Sequence, residues 1–224
     1  SSSIGKKQIV AVTGLMLIGF VVAHLLGNLT LFGGPDAFNG YAEKLASLGP
    51  LLYVMRVLLA SVFIVHMVFT TMLVIQNRKA RPEKYDVSPQ KGKRSIAARL
   101  MPVSGAILLV FLIVHLLDFS LNSENPDGTA TYITYGTEVL KLKLYGLVYN
   151  YFQNPIRIVG YLGALSFLCL HMAHAFQSAC QTFGVHSDSI SPLLKKASLA
   201  LGIILLIGFG SIPLYLKFGD PLGS

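Results

Sequence analysis

Five uninterrupted apolar stretches, each roughly 20 residues or longer, constrain this chain more than any other feature, because that length in α-helical form matches the hydrocarbon thickness of a bilayer. They run over about Ile9–Phe32, Leu51–Ile75, Leu100–Phe119, Ile156–Phe183 and Leu194–Phe218. Proline and glycine punctuate the joins ("GGPDAFNG", "LGP", "NP", "SISP"), and Pro102 and Pro213 are placed at or near helix ends, where proline is best tolerated. Lipid offers no partner to an unpaired backbone group, so helices are the expected form of such segments. A composition that is 53% hydrophobic and 12% charged, with a mean hydropathy of +0.62, excludes an ordinary soluble domain and gives no sign of a nucleic-acid partner. The expected fold is therefore an all-α membrane protein, residues 1–224 forming a single domain built as a five-transmembrane-helix bundle.

Charge placement sets the expected orientation. Lys6 and Lys7, the cluster Arg78, Lys79, Arg81, Lys84, Lys91, Lys93, Arg94 and Arg99, and the pair Lys195 and Lys196 fall on one side; Lys44, Arg56, Lys141, Lys143, Arg157 and Lys217 fall on the other. The positive-inside bias puts the N-terminus in the cytoplasm and the C-terminus outside. The net charge of +8 is then mainly a topology signal, with docking of an acidic partner or anionic lipid as a second role for the dense second loop. The opening "SSSIGKKQIV" lacks the features of a removable signal peptide, so the first apolar segment is expected to remain in the mature protein. Cys169 and Cys180 lie in one apolar segment and read as packing residues; no Cys-x-x-Cys-His is present.

Two of the segments share an internal pattern. "VTGLMLIGFVVAHLL" from Val12 and "VSGAILLVFLIVHLL" from Val103 each carry a small hydroxyl residue, a glycine, nine mostly apolar residues and His-Leu-Leu. Counting about 15 residues, or about 22 Å of helix rise, from Ile9, Leu51, Leu100 and Ile156 reaches His24, His66, His115 and His171. Since successive helices alternate in direction, His24 and His115 belong near the outer face, and His66 and His171 near the cytoplasm. Ionisable residues inside a membrane are costly and mark function. Imidazole is a good axial ligand for haem iron, and two such ligands leave no position for oxygen, which suits electron transfer. Two b haems stacked across the bilayer follow. A proton relay would be expected to add intramembrane acids or lysines, and zinc to gather closely spaced ligands at one depth. Gly14 and Gly105, ten residues before His24 and His115, fall about 15 Å deeper, near the level of the second pair, where they either admit a porphyrin edge or allow close helix packing.

The stretches "HLLGNLTLFGGPDAFNGYAEKL", "VHM", "VSGAILLVFLIVHLLDF" and "LHMAHAFQSACQTFG" together resemble the single-chain cytochrome b membrane anchor of succinate dehydrogenases and fumarate reductases, over nearly the whole chain. That resemblance implies two haem b groups, the outer one ligated by His24 and His115 and the inner one by His66 and His171. It implies a flavoprotein (FAD) subunit and an iron–sulfur subunit docked on the cytoplasmic face of a bacterial plasma membrane, and a membrane quinone, typically menaquinone, near the outer haem. The chain would then be the non-catalytic, quinone-reactive anchor of complex II, serving the tricarboxylic acid cycle. Of the two histidines in "HMAHAFQS", His171 matches the family's ligand and the depth count; His174, one turn on, is left to a propionate, a quinone pocket or packing, and His186 to the solvated surface. Tyr41, Glu43 and Arg56 are the outer-side candidates for quinone or propionate, against a solvated carboxylate and a snorkelling arginine. Some relatives carry a glutamate two residues before the fourth-helix ligand, used for compensating proton transfer; here it is Cys169, which lacks that carboxyl. The segment from Ser120 to Pro155 is expected to form an interfacial helix or cap over the outer end. A di-haem cytochrome of a formate or hydrogen dehydrogenase, or a non-haem transporter, are the alternatives.

Overall fold

The computed structural model describes residues 3–79, 96–121, 132–135, 138–141 and 143–219. Five of its helices are long and apolar enough to cross a membrane. They are α1 (Ser3–Leu29), α3 (Pro50–Lys79), α4 (Ile96–His115), α6 (Pro155–Thr182) and α7 (Ile190–Phe218). Each covers most of one apolar segment of the sequence, with α1, α4 and α6 ending before Phe32, Phe119 and Phe183. At other ends helical hydrogen bonding continues past the apolar boundary: Lys6 and Lys7 are inside α1, and Arg78 and Lys79 close α3. Pro102 lies in the second turn of α4 and Pro213 in the penultimate turn of α7. Arg81, Lys84, Lys91, Lys93 and Arg94 of the second loop are outside the described residues.

Between α1 and α3 the chain is not a loop. A 3-10 turn at Thr30–Gly33 leads into α2 (Gly34–Ala46), which has proline in its first turn, Asp36 beside its positive end and Lys44 in its last turn. The turn signal "GGPD" had hidden this helix, since glycine and proline before a helix read the same way as glycine and proline in a loop. After α4 come a π turn (Leu116–Ser120), a short antiparallel pair β1 (Tyr132–Tyr135) and β2 (Glu138–Lys141), and α5 (Lys143–Phe152). α5 packs against α2, α6 and α7, so the segment expected to act as a cap does contain a capping helix.

α6 is the central helix: it touches α7, α4 and α1, while α3 packs mainly on α1 and buries none of its own residues. Small residues make the α6/α7 contact close. A Cβ on Gly202 would sit 2.7 Å from the Cys169 carbonyl oxygen, and the buried Ser198 hydroxyl accepts from the Gln177 N–H at 2.7 Å. Ser198 and Gly202 are one small-xxx-small step, the spacing that lets helix backbones approach in lipid. Large apolar side chains such as Val57, Ile64, Val110, Val159 and Ile207 point outward, as a lipid-facing surface requires.

Two buried clusters hold the bundle. One, around Ile18, Leu25, Met172 and Leu205, joins α1, α6 and α7 at mid-depth. The other gathers Leu31, Phe38, Tyr145, Phe152, Ile158, Tyr161 and Leu216 beneath α2 and α5. We call this the capped end. It is pinned by polar contacts between elements: the Tyr145 N–H donates to Asn39 Oδ1 at 3.0 Å, Gln153 Nε2 to the Leu216 carbonyl at 3.0 Å, and Lys217 Nζ to the Gln153 carbonyl at 2.9 Å.

Candidate haem-binding histidines

Four of the five histidines in the spans, all but His174, occur in two sets. At the capped end, His24 of α1 and His115, the last residue of α4, stand with ring centroids 5.9 Å apart and planes 85° to one another. Aromatic rings wall them in. Phe20 stacks on His24 at 5.4 Å and Phe209 of α7 tilts on it at 5.7 Å, while Phe111, Phe119 and Tyr161 surround His115. Asn28, one turn beyond His24, donates to the His24 carbonyl at 2.8 Å and lies against its imidazole.

Nearer the opposite end are His66 of α3 and His171 of α6. Each is met by a hydroxyl from a neighbouring helix. Thr13 Oγ1 of α1 is 3.0 Å from His66 Nδ1, and Ser104 Oγ of α4 is 3.1 Å from His171 Nδ1. These hydroxyls already donate to backbone carbonyls, Thr13 to Ile9 at 2.7 Å and Ser104 to Met101 at 3.1 Å. Their lone pairs are therefore available to the imidazoles, and a ring that binds metal through Nε2 would present its Nδ1–H to them. Holding one ring nitrogen of a histidine so that the other can bind metal is the usual second contact around a metal site.

The repeated hydroxyl-glycine pair thus has a physical meaning in the tertiary structure. A Cβ on Gly14 would lie 3.3 Å from His66 Cε1, and one on Gly105 would lie 3.8 Å from His171 Cε1. Both glycines stand beside the second histidine pair, as the rise along the helix predicts; Gly14 is in tight contact with an imidazole, while Gly105 lies at ordinary contact distance from one. α1 serves α3, and α4 serves α6, by the same two positions. The signal was present in the sequence as Thr13-Gly14 and Ser104-Gly105, but the partners lie on other helices.

The residues fit a bis-histidine haem. His24 and His115 come from different helices with ring centroids 5.9 Å apart, and these two imidazoles would hold the iron of one haem. Among the described residues no three of His, Cys, Asp or Glu gather in one place. The histidines come in twos.

The remaining sequence candidates are distributed differently. Tyr41 of α2 lays its hydroxyl against Gly27, where a Cβ would be 2.5 Å away, so it touches α1 one turn past His24. Glu43 pairs with Lys143 of α5, both side chains about half exposed, and so ties α2 to α5. Arg56 is exposed on α3 with its guanidinium 5.8 Å above the Tyr53 ring. His174 is half-buried, one turn from His171, and it is His171 that Ser104 meets. His186 is exposed and bonds the Gly184 carbonyl.

One group was missed in the sequence. Asp118 accepts from the Tyr161 hydroxyl at 2.9 Å, and that hydroxyl is 3.5 Å from His115 Nδ1. Tyr151 of α5 also bonds Asp118 and Tyr161, and Arg157 lies 3.6 Å over the Tyr151 ring. Burial first, then the neighbouring Asp118, pushes the Tyr151 phenol up to about 12, so it stays protonated. The signal available was positional: Tyr161 precedes His171 by the same ten residues that separate Gly14 from His24, about 15 Å along the helix.

No family model matches the chain, and neither the curated proteins nor the solved structures include a match to it.

Proposed function

We propose that this chain is a di-haem cytochrome b that anchors a succinate:quinone oxidoreductase to the bacterial plasma membrane. Haem b, when bound, supplies one-electron redox chemistry that no side chain here can supply. The observation that carries the reading is the matched handling of four imidazoles. His24 and His115, from two helices, stand with ring centroids 5.9 Å apart, and His66 and His171 are each met at Nδ1 by a buried hydroxyl. Histidines that only filled a core would need neither a hydroxyl at the same ring nitrogen nor a glycine beside each.

In this reading His24 and His115 hold the haem at the capped end, and His66 and His171 hold the other. The phenylalanines around His24 and His115 exclude water and lower the local dielectric, while Thr13 and Ser104 fix ring orientation. Two redox stations divide a hydrocarbon layer of about 30 Å, too wide for one efficient electron step. The end bearing Lys6, Lys7 and Arg78 faces the cytoplasm by the positive-inside bias, and there the flavoprotein and iron–sulfur subunits dock. A quinone, menaquinone by family resemblance, reacts near the capped end. Tyr41, against α1 beside His24, is better placed for it than Glu43, which Lys143 already engages, or Arg56.

The test is purification with native partners from detergent-solubilised membranes. The expected result is two haem b per chain, co-purifying FAD, and quinone reduction dependent on succinate. One haem or none per chain refutes the site assignment. Two haems without an FAD subunit or succinate activity move the chain to another dehydrogenase, of formate or hydrogen.

A further inference from the structure

The two histidine sets differ in what stands behind them, and the difference lies in charge. Thr13 and Ser104 pass their own protons to backbone carbonyls, so the chains behind His66 and His171 end on neutral peptide groups. Behind His115 the sequence of groups is His115 Nδ1, the Tyr161 hydroxyl at 3.5 Å, and the Asp118 carboxyl at 2.9 Å from that hydroxyl. Because Tyr161 donates to Asp118, its oxygen lone pairs are the ones presented to the Nδ1–H.

The backbone explains how an acid reaches this place. α4 ends at His115, and the next five residues form a π turn closed by the Leu121 N–H on the Leu116 carbonyl at 2.7 Å. A π turn widens the helix and shifts the following side chains around the axis relative to an α-helix. Asp118 is carried to Tyr161 of α6, and Phe119 to the Tyr151 and Phe152 rings of α5.

We propose that Asp118, acting through Tyr161, is a positioning residue that holds the reduction potential of the haem at the capped end below the value its two histidines alone would give. The inference rests on the di-haem reading above. A carboxylate drawing on the phenol proton makes the phenol oxygen a stronger acceptor, and a stronger acceptor at Nδ1 makes the imidazole a more basic ligand. A more basic ligand stabilises the ferric over the ferrous state, and the nearby negative charge works in the same direction. Neither influence reaches His66 or His171, whose partners are Thr13 and Ser104.

The experiment is a redox titration of the purified complex, following the haem absorbance in wild type, Tyr161→Phe, Asp118→Asn, the double variant and Asp118→Glu. Tyr161→Phe keeps the ring that packs on Phe111 and Phe152 and removes only the hydroxyl. One haem component should become easier to reduce, by about tenfold in its reduced-to-oxidised ratio at a fixed potential, the scale of one charge-assisted hydrogen bond. For one electron this is about 59 mV. Asp118→Asn should move the same component, the double variant should move it little further because the two residues act in series, and Asp118→Glu should restore part of the shift. The component that moves must be the one that Thr13→Val leaves in place. An unmoved potential in Tyr161→Phe, or equal shifts in both haems, overturns the proposal even if Asp118→Asn fails to assemble. A wild-type protein without haem bands overturns the di-haem reading itself.

Discussion

Replacing Thr13 by valine and Ser104 by alanine removes the two hydroxyls that meet His66 and His171 without altering the apolar packing around them. Thr13 is 7% exposed and Ser104 1%, so water does not take the place of either lost oxygen. Each substitution leaves one Nδ1–H without its acceptor at 3.0 or 3.1 Å. An unsatisfied buried donor costs about 1–3 kcal/mol. At 1.4 kcal/mol per decade, that corresponds to roughly 5- to 150-fold weaker retention of whatever His66 and His171 jointly hold. The range brackets the usual cost of removing a partner of a metal-binding histidine, about 10- to 100-fold. The two losses meet at one site, so the double variant should fall short of their sum. The assay is haem per chain after dilution and gel filtration, with the low-temperature reduced-minus-oxidised spectrum to tell the two haems apart. Wild type should keep two; Thr13→Val/Ser104→Ala should lose one, leaving the spectrum of the His24/His115 haem. Ser61→Ala serves as control, because Ser61 is exposed and its hydroxyl bonds only the Val57 carbonyl of its own helix at 2.8 Å. Full retention of both haems with unchanged line shape in the double variant would refute the argument that these hydroxyls orient the ligands.

Other perturbations have equally definite outcomes. Gly202→Ala places a methyl 2.7 Å from the Cys169 carbonyl oxygen and should destabilise the α6/α7 pair by about 1–3 kcal/mol, read as a lower thermal midpoint in detergent; an unchanged midpoint would show that the helices separate freely there. Glu43→Gln breaks an exposed ion pair with Lys143, so stability should change by less than about 1 kcal/mol and haem content not at all; loss of haem would show that Glu43 belongs to the site. His174→Ala should retain two haems while His171→Ala loses one, and the reverse result in haem quantification would exchange their roles. Tyr151 titrates at about 12 in the folded chain against 10.0 as its ordinary value. A raised folded value favours the protonated fold, so its contribution is complete below pH 10 and is lost as pH rises from 10 toward 12. Ultraviolet titration of phenolate formation alongside unfolding should show this loss, which Tyr151→Phe should abolish.

What the sequence determined by itself is everything that depends on distance along one helix. Hydrophobic length specified five helices able to cross a membrane, and a constant rise per residue specified that Gly14 and Gly105 lie at the depth of His66 and His171. These are local quantities, set by a chain's own backbone. Azimuth and contact between helices are not local. That Thr13 meets α3 and Ser104 meets α6, that Glu43 is engaged by Lys143 a hundred residues on, and that Tyr161 finds Asp118 depend on how the helices pack around α6. The π turn after His115 sets the direction of Asp118, and the close Gly202–Cys169 approach that of α7 on α6. A π turn in particular leaves no hydropathy signal, because it changes where side chains point without changing which residues are apolar. The sequence therefore carried the levels of the histidines, and only the tertiary structure decided which groups stand behind them.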